Sequence, residues 1–385
     1  MTRGRKGLLV RIGRADQPLV PFDEPRASLP LLDLPLAEHQ AREAARAGLE
    51  LVEVAPGAPA PSGTEAALLP DVVFTAETLT ALLRAAEGGE GLRQAAVRKG
   101  TPLFDFVAPL VPGARLDQDL ALPFVAGPLE GRPLTDDLFA EAVPVAVCDE
   151  DGSEEHRVAP YGQAPHRLRV PRVTRLAGRL SHWLHLLNLN QALLVHERRR
   201  RGAVGAKNAV VGQVKRHPSA LVEGSILEDG VEIEHAASVI DCYLGAGVKI
   251  GDHAVFHSCV IGRGCHTLVD THMRRVVALP GSTLSNLGIE DLLLGRDVFI
   301  TTAVAFFAGA PGATVVVDGE DTRRPVLSGA IGNRCVLGAR ALFSAGLAVP
   351  SGTVIVMRPD EGLAKLDDAG LERASMIRGD PSRDV

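Results

Sequence analysis

The sequence predicts two domains, an α/β half followed by a solenoid of short parallel strands, and three observations carry that prediction. Glycines recur every 17 residues at Gly230, Gly247 and Gly264. Three further columns keep the same spacing: Val222, Val239 and Phe256; Leu227, Leu244 and Ile261; Ser225, Cys242 and Cys259. Upstream, a strand pattern, an amphipathic helix and a second strand follow one another within the first 54 residues. Repetition in several columns at one period marks a solenoid, whose coils bury their apolar faces only by stacking. Strand–helix–strand marks a parallel sheet.

Within the repeat, the apolar positions Val222, Leu227, Ile233, Val239, Leu244, Ile250, Phe256 and Ile261 step by five or six residues. Three short strands per coil follow, each sending one aliphatic or aromatic side chain inward. Simple alternation in a β-sandwich would not hold three columns in phase. Glycine is expected at each corner, where the backbone needs a positive φ. LEDGVEIEHA, LGAGVKIGDHA and IGRGCH are similar to the hexapeptide repeat of left-handed parallel β-helices. The phase blurs through MRRVVALPGSTLSNLGIEDL, returns at Leu294, Ile300 and Phe306, and resumes at Ile331, Leu337, Phe343, Val349 and Ile355. The break is assigned to an inserted loop over 307–329, with a small hairpin at Asp318-Gly319. Such insertions often carry ligand sites.

In the first half, GLLVRI (7–12) reads as a strand. Pro35 opens the helix LAEHQAREAARAG, which Gly48 ends, and LELVEV (49–54) reads as the next strand. Residues 85–170 are rich in Pro and Gly, and short strands with loops are expected there. Asp136, Asp137, Asp149 and Asp151 read as surface acids. Residues 174–204 are assigned to a helical linker, with Leu176, Leu180, Leu184, Leu187 and Leu194 near helical spacing and Thr174 as its cap. The domain division is therefore 1–173, 174–204, 205–357 and a tail over 358–385.

Composition narrows the function classes. Aromatic residues are 4% against 46% hydrophobic, which suits narrow coils filled by Val, Ile, Leu and Ala. A net charge of −6 argues against a nucleic-acid partner. Arg198–Arg201 is the one dense basic run and reads as a solvated helix end. Five scattered cysteines show no zinc-ribbon spacing. Neither a secretory leader nor a bilayer-length apolar run is evident, so no membrane association and a cytoplasmic location are expected.

The stretch PLVPFDEPRASLPLLDLPLAEHQAREAARAGLELVEV is similar to the opening of the sugar-phosphate nucleotidyltransferases. Pro18-Leu19, Pro25-Arg26, Leu29-Pro30, Pro35-Leu36, Glu38-His39 and Gly48 stand at the matching places. LLPDVVFTAETLTALL resembles that family's strand ending in a metal-binding Asp, which would be Asp71. Many members also carry a C-terminal left-handed β-helix. The resemblance implies transfer of a nucleotidyl group from an NTP to a sugar 1-phosphate with Mg²⁺ as cofactor. Arg26 and Asp71 would be catalytic, Asp71 the metal ligand, and Gly13 and Arg14 nucleotide-binding. The phosphate loop departs from GGxGTRLxPL: RIGRADQ keeps only Gly13, with Arg14 at the Thr position and Ala15 at the Arg position. Arg26 stands where Lys is usual. The erosion opens a second reading, a non-catalytic oligomeric scaffold or ligand sensor.

Hexapeptide β-helices also serve acyltransferases, in which a His on one coil acts as general base between subunits of a trimer. His253, His257 and His266 are the candidates here, for that role or for a shared metal. A homotrimer through the β-helix is expected.

Overall fold

The computed structural model describes residues 7–158, 166–285, 287–310, 313–338 and 341–356. The tail assigned to 358–385 lies outside them. The chain forms an α/β domain, a left-handed parallel β-helix, and one long helix between them.

The α/β domain runs β1 (Leu8–Ile12), α1 (Leu36–Arg46), β2 (Glu50–Val54), β3 (Thr64–Leu68), β4 (Val72–Phe74), α2 (Ala76–Ala86), β5 (Arg93–Val97), α3 (Pro102–Val107), β6 (Leu120–Ala126) and β7 (Val143–Ala146). Its main sheet has the order β2-β1-β3-β6-β5-β7. Strand β1 is parallel to β2 and to β3, as the βαβ pattern requires, while β6 is antiparallel to both its neighbours. The sheet is therefore mixed.

Residues 149–175 depart from the expected short strands. They form a long antiparallel hairpin, β8 (Asp149–Val158) and β9 (His166–Arg175). Its apolar signal is the sparse series Leu168, Val170 and Val173, all buried among charged residues. Strand β10 (Ala177–Arg179) then pairs with β4. Since Thr174 lies in β9 and β10 follows it, Thr174 does not cap the linker helix. The linker helix α4 spans Trp183–Arg200 and is capped by two histidines: His182 Nδ1 accepts the Leu184 N–H (3.1 Å), and His185 Nδ1 accepts the His182 N–H (3.1 Å).

The β-helix has three walls. Two carry eight strands each, from Ala209–Val210 to Leu347–Val349 and from Lys215–Arg216 to Val354–Ile355. The third begins at Leu221–Glu223. Val222 pairs with Val239 and Val239 with Phe256; Leu227 pairs with Leu244 and Leu244 with Ile261; Ile233 pairs with Ile250. All eight are buried. The blurred stretch is a coil one residue short, since Met273 pairs with Ile289. Cys242 and Cys259 lie on successive coils as free thiols.

Glycine holds one corner only. Gly230, Gly247, Gly264 and Gly281 have φ of 66–83° there, but Ala236, His253 and Asp270 occupy a second corner at 54–57°. A third column, Gly224, Asp241, Ser258, Arg275 and Asp291, is also left-handed. Side chains are tolerated at these corners because hydrogen bonds and packing hold the turn. The third column is where the linker helix docks.

That docking buries the first wall on both sides. Leu227, Leu244, Ile261 and Leu294 face the coil interior, whereas Ile226, Tyr243, Val260, Val277 and Leu293 join the core of the α/β domain. The basic run is not simply solvated. Arg198 is buried, donating to the Gly224 carbonyl (2.6 Å) and pairing with Asp241 and Glu154. Arg199–Arg201 pair with Asp151, Glu197 and Glu228. The insertion forms a hairpin of Val316–Val317 and Glu320–Asp321. It reaches both neighbours: Arg324 contacts Asn188 on the linker helix as well as Asp291 in the solenoid, and Arg323 contacts Asp105 of the α/β domain.

Two predictions follow from this packing. Leu244→Asp places an unpaired carboxylate inside the coil and is expected to cost at least about 3 kcal/mol. Thermal melting like that of the parent would show the inward register to be wrong. Acid sensitivity comes from His39 and His185, each 1% exposed. Burial pushes their pKa values down to about 4 and about 3. Such histidines take up protons near pH 6.5 when unfolded but not when folded. Their contribution is complete above that pH and falls as pH drops toward 4, by about 1.4 kcal/mol per pH unit for each. Melting temperature should decline steadily from about pH 7 to about pH 5; a flat profile would contradict it.

Candidate functional site

The loop Gly13–Gln17 leaves the carboxyl end of β1, and Leu69–Asp71 leave that of the parallel β3. Strands β2 and β3 flank β1 on opposite sides, so the chain reverses direction there. Open α/β sheets take ligands at such points. A cavity of about 200 Å³ lies here, walled by Arg14, Asp16, Arg26, Asp71 and Arg179 among others. A neighbouring cavity of about 210 Å³, lined by Arg115, Gln118 and Asp119, shares Arg179 with the first.

Each side chain is placed by identifiable bonds. Helix α1 buries a polar edge against β4: Gln40 Nε2 donates to the carbonyls of Pro70 (3.0 Å) and Val72 (2.8 Å), on either side of Asp71. His39 bonds the Phe74 carbonyl (2.9 Å). Strand β10 reaches Asp71 from the other side, with Arg179 opposite Val72 and the Leu180 N–H on the Asp71 carbonyl (2.7 Å). Arg179 then bonds Asp71 Oδ2 through Nε (3.0 Å) and Nη2 (2.7 Å).

Arg26 sits on a single helical turn, Arg26–Ser28. Asp16 orders that turn by accepting the N–H groups of Arg26 (3.1 Å) and Ala27 (2.8 Å). The same segment is tied to the β-helix through Glu24 with Arg296 (3.0 Å), Asp23 with Arg334, and Asp33 with Arg263 (3.0 Å). Arg14 pairs with Asp136 at the cleft.

Of the candidates named from sequence, Arg14, Arg26 and Asp71 converge. Gly13 does not line the cavity. Its N–H donates to the Val54 carbonyl (2.8 Å), so that N–H is unavailable to a phosphate. Arg179 was missed: it lies in the segment read as helical linker, and only the β10–β4 pairing brings it to Asp71. The role of Asp16 was also missed. Its negative charge is expected beside a phosphate, yet both its oxygens are engaged by main-chain donors.

The residues present do not fit Mg²⁺. That ion requires near-octahedral oxygen ligation. Asp71 is held by Arg179, Asp16 by two N–H groups, and Asp136 by Arg14. Among the described residues no group of three His, Cys, Asp or Glu side chains is placed to hold a metal ion. Asp71, expected as the metal ligand, has one oxygen on Arg179 and the other buried.

Two residues that line the cavity each carry a buried polar atom without a partner: Arg26 Nε, a donor, and Asp71 Oδ1, an acceptor. Arg26 also lacks an ion-pair partner among the described residues. An unmet buried polar atom costs about 1–3 kcal/mol.

The β-helix histidines do not converge. His253 lies at a corner with φ of 57°, its ring edge-on to His235 at 5.4 Å between centroids, and His235 is edge-on to His217 at 5.0 Å. His266 is exposed on the second wall beside Lys249. His257 is on the third wall, where burial lowers its pKa. The three therefore form no shared metal site within one chain.

Residues 191–273 match the family model described as GlmU-like, C-terminal hexapeptide. The match covers the end of the linker helix and the clean coils. No curated protein matches the chain. Among the described residues no helix is long and apolar enough to cross a membrane.

Proposed function

We propose that this chain is a nucleotidyltransferase-type protein of sugar-nucleotide metabolism whose cleft binds a phosphorylated ligand, a nucleotide or a sugar phosphate, without transferring a nucleotidyl group. The observation that carries this reading is the convergence of three arginines, Arg14, Arg26 and Arg179, with Asp71 on one cavity. Guanidinium groups match phosphate oxygens, and a carboxylate oxygen accepts a hydroxyl. A phosphorylated sugar or nucleoside offers both. The resemblance in the first half and the hexapeptide match in the second support the same class. Against turnover stand the consumed Gly13 N–H, the side chains at Arg14, Ala15 and Asp16, and the misfit of a divalent ion. The second reading, acyl transfer at a β-helix groove, has the solenoid in its favour but no gathered catalytic group within one chain.

The β-helix supplies the assembly. One wall is covered by the linker helix and its domain, which leaves two for contact between chains. Closed three-fold packing would bury such faces without open ends. Exposed apolar residues on the later coils, Phe299, Leu342 and Val354, suit that role.

Light scattering at micromolar concentration is expected to give three chain masses, and a monomer mass would remove the trimer. Calorimetry with NTPs and hexose 1-phosphates is expected to show binding. Arg14→Ala and Arg26→Ala should each weaken it by roughly tenfold or more, the effect of a lost charge-assisted bond. Pyrophosphate release should stay at background. Turnover that disappears in Asp71→Asn would overturn the non-catalytic reading.

A further inference from the structure

We propose that Arg179 occupies, as a built-in cation, the position on Asp71 that a divalent ion would otherwise take, so that the cleft binds phosphorylated ligands without metal. The inference rests on the reading of the cleft as a phosphoryl-ligand site and names its counter-charge. Asp71 is 6% exposed, so its carboxylate needs a positive partner. Arg179 provides it through two bonds to a single oxygen, Oδ2, at 3.0 and 2.7 Å.

The pairing is fixed by the backbone as well as by the side chains. Strands β10 and β4 are hydrogen-bonded in register, and the Leu180 N–H meets the Asp71 carbonyl at 2.7 Å. Behind Arg179, Gly178 packs so closely on Leu189 and Val107 that a methyl group there would come within 3.0 and 3.3 Å of them. The backbone that carries Arg179 is therefore closely packed against α3 and the linker helix.

A guanidinium has five N–H donors, of which two are spent on Asp71. Arg179 also lines both cavities. A phosphoryl group bound to its remaining donors would lie between the two cavities, with room on each side for the parts it joins. A second cation beside Arg179 would be repelled, and the other nearby carboxylates, Asp16 and Asp136, already have partners. Metal and Arg179 thus compete for one place, which Arg179 holds.

The test has a metal arm and a ligand arm. Mn²⁺ binding to the full chain is followed by electron paramagnetic resonance for the parent, Arg179→Ala, Arg179→Lys, and Arg179→Ala combined with Asp71→Asn. The parent and Arg179→Lys are expected to take up no Mn²⁺ at this site. Arg179→Ala should gain a site that the double variant loses. Thermal melting of each variant confirms that it is folded, and Arg179→Lys keeps the cation should Arg179→Ala fail to fold. In the ligand arm, calorimetry with pyrophosphate, UTP and glucose 1-phosphate is run in MgCl2 and in EDTA. Parent affinities should agree within about threefold between the two, and the probe bound most tightly distinguishes nucleotide from sugar phosphate. Mn²⁺ bound by the parent and lost in Asp71→Asn would overturn the proposal. So would a tenfold or greater gain in affinity with MgCl2, or a folded Arg179→Ala that acquires no metal site. If no probe binds in either buffer, the phosphoryl-ligand reading falls, while the Mn²⁺ arm still decides the place of Arg179.

Discussion

Asp291 is fully buried and is held by two arginines of the solenoid, and through Arg324 that contact continues to the linker helix on which the α/β domain packs. Arg275, from the coil below, bonds both of its oxygens at 2.7–3.1 Å, and Arg324, from the inserted hairpin, contacts the other side. Arg324 continues to Asn188 and Gln191 on the linker helix, and Gln191 donates to the Arg275 carbonyl (2.8 Å). A buried ion network of this kind adds little stability over an apolar equivalent, because desolvation offsets the attraction. Removing one member, however, leaves a buried charge exposed to no compensation. The network therefore acts on geometry: it penalises every docking of helix on solenoid except the one that satisfies all members. The inserted loop, which sequence marks as a place for ligands, is used here as a clamp.

The cleft inherits its shape from that docking. Arg26 belongs to the α/β domain by sequence, yet its segment is fastened to the β-helix at Asp23, Glu24 and Asp33. Asn190 on the linker helix holds the same segment from beneath, accepting the Leu32 N–H (2.8 Å) and donating to the Pro30 carbonyl (3.1 Å). Arg179 and Asp71 are instead held by β10 and β4, against α1 and α3. The cavity thus sits between a wall fixed by the solenoid and a wall fixed by the sheet.

The coils were legible because a solenoid repeats its constraints. One inward residue per strand and one residue length per coil put Val222, Val239 and Phe256 into a column before any coordinate is known. The corners were less legible. Positive φ does not demand glycine when, as at Arg275, the side chain has a buried partner to hold it. The first wall carried a signal in its adjacent apolar pairs, Ile226-Leu227 and Tyr243-Leu244, which mark a strand buried on both faces. In the cleft, Arg14, Arg26 and Asp71 were legible through their likeness to a known pattern of residues. Arg179 was not. It lies within a helix-like leucine series, and its partner lies 108 residues earlier, joined by a three-residue strand with no periodicity of its own.

The departures in the cleft share one physical direction. A glycine-rich loop presents neutral main-chain donors close to phosphate and leaves the balance of charge to a mobile ion. Here the glycine that remains donates its N–H to a strand, and fixed guanidinium groups surround the space. Fixed cations suit holding a phosphate. Arginines can also stabilise phosphoryl transfer, so what weighs against transfer here is the loss of the loop's main-chain donors. Arg179 is in addition half-committed to Asp71, so the field it offers a leaving group is weaker than that of an uncompensated cation. Consumed loop donors and a half-committed Arg179 are the features on which the proposed reading, recognition of a ligand without its conversion, rests.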